Sequence, residues 1–168
     1  MNIFFAVLLI FFAAFSRLIP HAPNFTPMIS VALFAGVYLE KRLALAIPLL
    51  ALLLSDVFLG FYGPLMAIVY GSTLLVSVFG FLMKGKVSIG RIAGTSFAGA
   101  VFFFVTTNFG VWALSGPAYP KTFAGLAECY TAAIPFFRNT LASTLIYSAT
   151  LFGVYEIAAK YAWKTEVI

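Results

Sequence analysis

Polar side chains interrupt apolar stretches of this sequence at three places. Asp56 closes the run Leu-Leu-Leu-Ser-Asp, Arg138 follows Pro-Phe-Phe, and Asn108 stands four residues before Trp112. A carboxylate in a membrane segment costs about 2.5–3.5 kcal/mol to insert, so Asp56 needs a partner inside the protein, and Arg138 is the candidate at similar depth. Asn108 and Trp112 share a helical face and would place an amide beside an aromatic ring, as in many small-molecule pockets. The chemistry that this pattern indicates is recognition of a polar ligand.

Each of these residues also has a plainer explanation. Asp56 and Arg138 could form a structural ion pair that fastens two helices together. Asn108 could hydrogen-bond between helices, and Trp112 could belong to the aromatic belt at the membrane surface. We predict a substrate site made of eight residues near the outer ends of the helices: His21, Asn24, Asp56, Asn108, Trp112, Tyr130, Arg138 and Asn139.

No residue pattern in the sequence is typical of an enzyme. One histidine and one cysteine exclude a multi-ligand metal site within a single chain. There is no nucleophilic triad, no glycine-rich phosphate loop and no pair of intramembrane carboxylates. An intramembrane enzyme would have to use Asp56, Glu128 and His21 for acid–base chemistry, and their spacing indicates no shared site. We therefore expect no enzymatic activity, no cofactor and no bound metal.

The composition indicates that lipid is the main solvent of this chain. Of its 168 residues, 63% are hydrophobic and 9% are charged, against roughly 25% charged residues in a soluble domain. The ten Lys and Arg residues are scattered rather than clustered, which argues against a nucleic-acid-binding face. The sequence therefore predicts an all-α integral membrane protein that forms one domain, residues 1–168.

Six apolar stretches are candidates for membrane helices, each of which needs about 20 residues to cross the hydrocarbon core. The second stretch has 13 residues, so the loop before it should lie at membrane depth and line a cavity or be buried in protein. Thr26 is predicted to cap this helix, and Pro48 and Pro135 predict kinks or breaks. The predicted spans are 3–18, 27–39, 43–59, 65–83, 89–114 and 134–163.

The basic residues predict how the helices are oriented in the membrane. Placing the amino terminus in the cytoplasm puts seven of the ten basic residues inside and leaves Arg17, Lys121 and Arg138 outside. Both termini are then cytoplasmic, in a multi-pass protein of the inner membrane. The first apolar run lacks the positive start of a signal peptide, and we expect it to be retained as a helix.

The predicted outer loops are richer in Pro, Gly, Asn and aromatic residues than the inner ones, which favours a functional role for the outer half. Three prolines between Pro20 and Pro27 make the first outer loop stiff. The last outer loop opens with Pro120 and is predicted to hold a short amphipathic helix over residues 119–133. That helix could be a lid over a cavity or a passively packed interfacial helix.

Four motifs are similar to those of an uncharacterised bacterial family described as transport proteins: Asn-Phe-Thr-Pro at 24–27, the segment 48–56, Thr-Asn-Phe-Gly-Val-Trp at 107–112, and Ile-Pro-Phe-Phe at 134–137. More distantly, six helices with a short second helix resemble the S components of energy-coupling factor (ECF) vitamin transporters. The solitary cobalamin transporters of that superfamily share this resemblance. It implies a substrate site near the outer face and an energising transmembrane or ATPase module as a partner.

Two departures from that superfamily bear on the expected partner and substrate. The first three predicted helices contain no cysteine that could serve as a cobalt ligand, and Cys129 lies elsewhere. The first helix also lacks the small residues one turn apart that S components use for docking. Docking would then use another face, such as Gly94 and Ala98, or the protein works alone.

We therefore expect a membrane transporter or substrate-binding subunit that takes up a small, vitamin-like organic micronutrient from the outer face. Its expected partners are the lipid bilayer and this substrate, with no nucleic acid. The alternative is a structural or scaffolding membrane protein of a cell-envelope complex, in which the same polar residues would contact partner proteins. An outward-facing cavity would favour the first function, and a filled core would favour the second.

Overall fold

The computed structural model describes residues 3–114 and 116–165, with side chains for 4–114 and 116–160. These residues form an all-helical protein without strands. Helices α3 to α6 are long and apolar enough to cross a membrane, whereas α1 and α2 are shorter apolar helices. The elements are α1 (Ile3–Leu18), α2 (Met28–Tyr38), α3 (Lys41–Leu59), α4 (Leu65–Met83), α5 (Ile89–Leu114), a 3₁₀ turn (Gly116–Ala118) and α6 (Phe123–Thr165).

The last helix differs most from the sequence prediction. It was expected at 134–163, after a separate short helix, but α6 is one continuous helix that starts at Phe123. Thr122 starts it, because its carbonyl oxygen accepts from the amide of Leu126 at 3.0 Å and its hydroxyl accepts from the amide of Gly125 at 3.2 Å. The prediction of a separate helix across the mouth is therefore wrong. Neither Pro135 in α6 nor Pro48 in α3 ends its helix.

Helix α2 occupies the centre of the bundle. Residues Met28 to Val37 are all buried, and α2 contacts each of the other five α-helices that the structure describes. A helix that is apolar on every side is buried on every side. Its 11 residues rise only about 16 Å, roughly half of the hydrocarbon thickness, so α2 must be enclosed by protein and cannot cross the membrane by itself.

Two glycines allow the backbones of α2 and α4 to touch. A Cβ atom built on Gly36 would collide with the carbonyl oxygen of Ser77, and one built on Gly80 would collide with that of Leu33. Each built Cβ would also lie 2.9 Å from the Cα of the opposite glycine. Small residues at a crossing let membrane helices approach closely and gain van der Waals contact. The crossing of α2 and α4 therefore depends on the absence of a side chain at both positions.

A chain of buried serines connects α2, α5 and α6. The hydroxyl of Ser30 donates to the carbonyl oxygen of Thr144 at 2.8 Å, and Ser148 donates to Ser30 at 3.1 Å. Ser96 in turn donates to Ser148 at 2.9 Å. In a protein that faces lipid, such interhelical hydrogen bonds and close packing hold helices together.

The loop before α2 is shaped by its own backbone bonds. The amide of Phe25 donates to the carbonyl of Ala22 at 2.9 Å, and that of Thr26 donates to the carbonyl of Asn24 at 3.1 Å. Asn24 has a φ of 62°, a left-handed conformation that asparagine tolerates well. The predicted cap at Thr26 is wrong, since α2 is preceded by Pro27 and no side chain caps it. Its first hydrogen bond runs from Val31 to the carbonyl of Pro27 at 2.8 Å.

Candidate functional site

A partly open cavity of about 530 Å³ lies at the end of the bundle that carries the 19–27 and 60–64 connections, here called the loop end. Its walls come from the 19–27 loop and from α1 to α6. The volume lies within the range of about 300–1,000 Å³ that small-molecule sites occupy. Of the eight predicted site residues, the cavity is lined by His21, Asn24 and Asn108.

A buried ion pair stands beside this cavity. Asp56 is fully buried, and its Oδ1 lies 2.7 Å from Nη2 of Arg17, which is 16% exposed. The partner predicted from the sequence, Arg138, is wrong: its side chain is exposed, and it forms no ion pair with any residue that the structure describes. The physical reason is packing, since α3 lies against α1, whose last turn carries Arg17 at the depth of Asp56.

The arginine of this pair is also fastened to the backbone of α3. Its Nη1 donates to the carbonyl oxygen of Leu52 at 3.3 Å and to the hydroxyl of Ser55. On the carboxylate, Oδ2 accepts from the hydroxyl of Tyr70 at 2.9 Å. Oδ1 has the guanidinium beside it but no well-aligned hydrogen bond from the described residues. Asp56 is therefore held by α1 and α4 together.

Tyr62, in the connection between α3 and α4, belongs to the same polar group. Burial raises the pKa of Tyr62 to about 12; the Asp56 carboxylate also raises it, and Arg17 lowers it. Since the ordinary pKa of tyrosine is about 10, the phenol of Tyr62 is neutral at physiological pH. It can donate a hydrogen bond there but adds no second negative charge beside Asp56.

The helical walls of the cavity offer mainly hydrogen-bond acceptors. Thr73, Thr107 and Thr140 each donate their hydroxyl proton to the carbonyl oxygen four residues earlier, over 2.7–3.0 Å. The amide nitrogen of Asn108 does the same at 2.8 Å. A hydroxyl group has one proton and two lone pairs, so the threonine oxygens remain able to accept. The side-chain oxygen of Asn108 accepts no hydrogen bond from the described residues.

Trp112 and Tyr130, which were predicted to line the site, instead hold the α5–α6 connection in place. The indole nitrogen of Trp112 donates to the carbonyl of Pro120 at 2.9 Å, and the ammonium of Lys121 lies 5.3 Å from the centre of its ring. The hydroxyl of Tyr130 donates to the carbonyl of Val105 at 2.6 Å. Neither residue lines the cavity.

Asn139 acts on the cavity from a distance, through the loop that forms part of its wall. Its side-chain nitrogen donates to the carbonyl oxygen of Pro23 at 2.9 Å, which ties the 19–27 loop to α6. His21 stabilises the same loop locally, with its Nδ1 2.6 Å from the carbonyl oxygen of Ile19. Asn139 therefore has a positioning role.

We predict that Asn139→Ala loosens the 19–27 loop and leaves the bundle intact. The change removes one exposed hydrogen bond, worth about 1 kcal/mol. Hydrogen exchange should become about fivefold faster in residues 19–27 and should stay unchanged in α2. Arg138→Ala, at the exposed neighbouring residue, is the control and should leave the hydrogen-exchange rate of this loop unchanged. Equal acceleration by both substitutions would contradict the assigned role.

From the sequence, Arg17 was placed on the outer side but left out of the predicted site, together with the three threonines of the cavity wall. Arg17 stands in the last turn of α1, where a basic residue has an ordinary explanation as an interfacial charge. Thr107 adjoins Asn108 in the sequence, so its proximity along the chain could have placed it near the site. Thr73 and Thr140 lie in apolar runs on other helices, and only the packing of those helices brings them together.

The fold and the site together define a class of protein. Helices α3 to α6 are long and apolar enough to span a membrane, and a polar cavity with a buried ion pair lies at one end of the bundle. These features indicate a multi-pass helical membrane protein. The chain belongs to the Family of unknown function (DUF6580), which matches residues 1–166. No curated protein and no solved structure matches the chain.

Proposed function

We propose that this protein is a membrane transporter, or the substrate-binding subunit of one, that takes up a small organic micronutrient. The observation that supports this best is the cavity of about 530 Å³, whose walls combine Asn108 and threonine hydroxyls with the aromatic rings of Phe103, Phe104, Phe136 and Phe137. A few placed polar groups among apolar walls are typical of small-molecule sites. A scaffolding protein has no need of such a cavity in its core.

The proposed direction of uptake follows from the charges at the other end of the bundle. Lys41, Arg42, Lys84 and Arg91 lie at the start of α3, just after the end of α4 and at the start of α5. The ammonium of Lys84 contacts the carbonyl oxygen of Leu39 at 3.5 Å, which supports a common end for the first three. If this end is cytoplasmic, the cavity at the loop end faces outward in the inner membrane.

The proposal leaves two ways of supplying energy. In the first, an energising transmembrane or ATPase module docks on the bundle, and the exposed small residues Gly94 and Ala98 of α5 give it a flat surface. In the second, the protein works alone. Co-purification with and without an Ala98→Trp substitution distinguishes the two, because only a docked module would be lost.

Ligand binding to the purified protein in lipid nanodiscs tests the proposed function. We expect native mass spectrometry to show a co-purified small molecule or a panel of vitamins to show saturable binding. Asn108→Ala should weaken that binding about tenfold, the effect of losing one hydrogen bond in a desolvated site. Thr150→Ala is the matched control, since Thr150 makes the same bond to the carbonyl four residues earlier but lies on an exposed face.

Two results would overturn the proposal. One is the absence of both a co-purified molecule and saturable binding across the whole vitamin panel. The other is equal weakening of binding by Asn108→Ala and Thr150→Ala, because the effect would then be one of folding rather than of the site.

A further inference from the structure

We infer that the ligand of the cavity is an organic acid: an apolar body that carries N–H or O–H donors and one carboxylate, which the guanidinium of Arg17 binds. This inference rests on the proposed function and specifies the substrate class of the same site. The walls present a positive charge and hydrogen-bond acceptors, so a complementary ligand carries a negative charge and hydrogen-bond donors.

Arg17 is the only permanently charged side chain among the described residues that line the cavity. Its counter-ion, Asp56, is fully buried and is absent from that lining. Of the two members of the ion pair, only Arg17 therefore belongs to the wall that a ligand contacts. Charge-assisted hydrogen bonds from a guanidinium to a carboxylate are among the strongest that proteins make.

The guanidinium has donors to spare for such a ligand. Of its five N–H groups, the two on Nη1 go to Leu52 and Ser55. Nη2 carries two N–H groups and is paired with Asp56 Oδ1 at 2.7 Å, so one of the two remains, and Nε has no acceptor in the part of the chain that the structure describes. The Nε and Nη2 edge of an arginine is a fork that fits both oxygens of a carboxylate.

Asp56 can keep its place when Arg17 also binds a ligand. Its Oδ2 accepts from Tyr70 at 2.9 Å, so the carboxylate has a hydrogen bond that is independent of the arginine. The guanidinium is in turn held to α3 through Nη1. Arg17 is thus fixed in position before a ligand arrives, and little ordering is required on binding.

The opposite walls favour hydrogen-bond donors on the body of the ligand. The hydroxyl oxygens of Thr73, Thr107 and Thr140 and the side-chain oxygen of Asn108 retain accepting capacity, since their protons are engaged with the helix backbone or they carry none. The rest of the wall consists of phenylalanine rings and aliphatic side chains, with the 19–27 loop completing it. An acid that carries amide or hydroxyl groups on an apolar frame can bind the guanidinium, the acceptor oxygens and the apolar side chains of the cavity.

Matched pairs of vitamins that differ only at the acid test the charge. Suitable pairs are pantothenate with pantothenol, nicotinate with nicotinamide, and lipoate with lipoamide, titrated into the wild-type protein in nanodiscs. We expect the acid of at least one pair to bind about 10- to 100-fold more tightly than its neutral partner. Pantothenate, with its hydroxyl and amide donors, should bind more tightly than lipoate, which has none on its body.

Two variants assign the effect to Arg17. Arg17→Gln combined with Asp56→Asn removes both charges, leaves no unpaired buried carboxylate, and should abolish the preference for the acid to within about twofold. Asp56→Asn alone leaves the guanidinium without its counter-ion and should strengthen binding of the acid. Weaker binding of the acid in Asp56→Asn would overturn the inference.

The failure of this inference can be told apart from failure of the proposed function. If a neutral or cationic vitamin binds saturably and no acid exceeds its neutral partner, the acid class is wrong and the cavity is still a substrate site. If nothing in the panel binds and nothing co-purifies, both fail. A preference for the acid that survives in the charge-free double variant would show that Arg17 is not the group that recognises it.

Discussion

Replacing Arg17 by alanine should lower the free energy of unfolding by about 3–5 kcal/mol. The reason is that Asp56 is fully buried and would lose the guanidinium 2.7 Å away. Removing one partner of a buried pair leaves an uncompensated charge, which costs far more than the intact pair contributes. Thermal or denaturant unfolding of the purified protein in detergent measures the change.

Two further variants serve as controls for this prediction. Arg138→Ala removes an arginine that is exposed and unpaired among the described residues, and it should change stability by less than about 0.5 kcal/mol. Asp56→Asn introduced together with Arg17→Gln should recover most of the loss, because no charge then remains buried. If Arg138→Ala proved as harmful as Arg17→Ala, the ion pair would have been assigned to the wrong arginine.

The second large effect is expected at the crossing of α2 and α4, where Gly80→Ala should destabilise the protein by about 3 kcal/mol. The new methyl group would overlap the carbonyl oxygen of Leu33 and would lie 2.9 Å from the Cα of Gly36. Both obstacles are backbone atoms, so relief requires the two helices to separate, and overpacking of this kind costs about 1–3 kcal/mol or more. Thermal unfolding in detergent measures the loss.

Gly71→Ala is the matched control on the same helix. A Cβ atom at Gly71 meets no described atom within 4 Å, so the substitution should be neutral or should stabilise α4 by up to about 1 kcal/mol through helix propensity. The two changes are chemically identical, but only the one at Gly80 should destabilise the protein. Combining Gly36→Ala with Gly80→Ala should cost less than the sum of the two, since both disrupt one contact. Equal effects at Gly71 and Gly80 would contradict the close crossing.

Hydropathy and local signals were enough to locate most of the helices. Helices α1 to α5 begin and end within two residues of the predicted bounds, because the charged or Gly- and Pro-containing connections between them leave little choice. The short second stretch also indicated that the preceding loop would line a cavity or be buried in protein, and His21, Asn24 and Thr26 of that loop do line the cavity. Each of these features depends only on the residues that are close to it along the chain.

What could not be predicted depends on which helices are neighbours. Asp56 was correctly expected to need a partner, but depth alone pointed to Arg138, and it is the packing of α3 on α1 that makes Arg17 the partner. The sequence also predicted a kink or break at Pro135, and α6 continues past this residue without ending. A proline removes one backbone hydrogen bond, and within a packed membrane bundle that loss is tolerated without ending the helix.

The continuous sixth helix has a mechanical consequence for any opening of the cavity. With 43 residues it is about 65 Å long, roughly twice the hydrocarbon thickness, so it must project well past the membrane surface. Phe136, Phe137 and Thr140 of this helix line the cavity, and its first turns continue into them without a break in the helix. Among the described residues, the start of α6 therefore does not form a separate element that could move on its own. A tilt of the first turns of α6 would therefore also move Phe136 and Phe137 in the cavity wall.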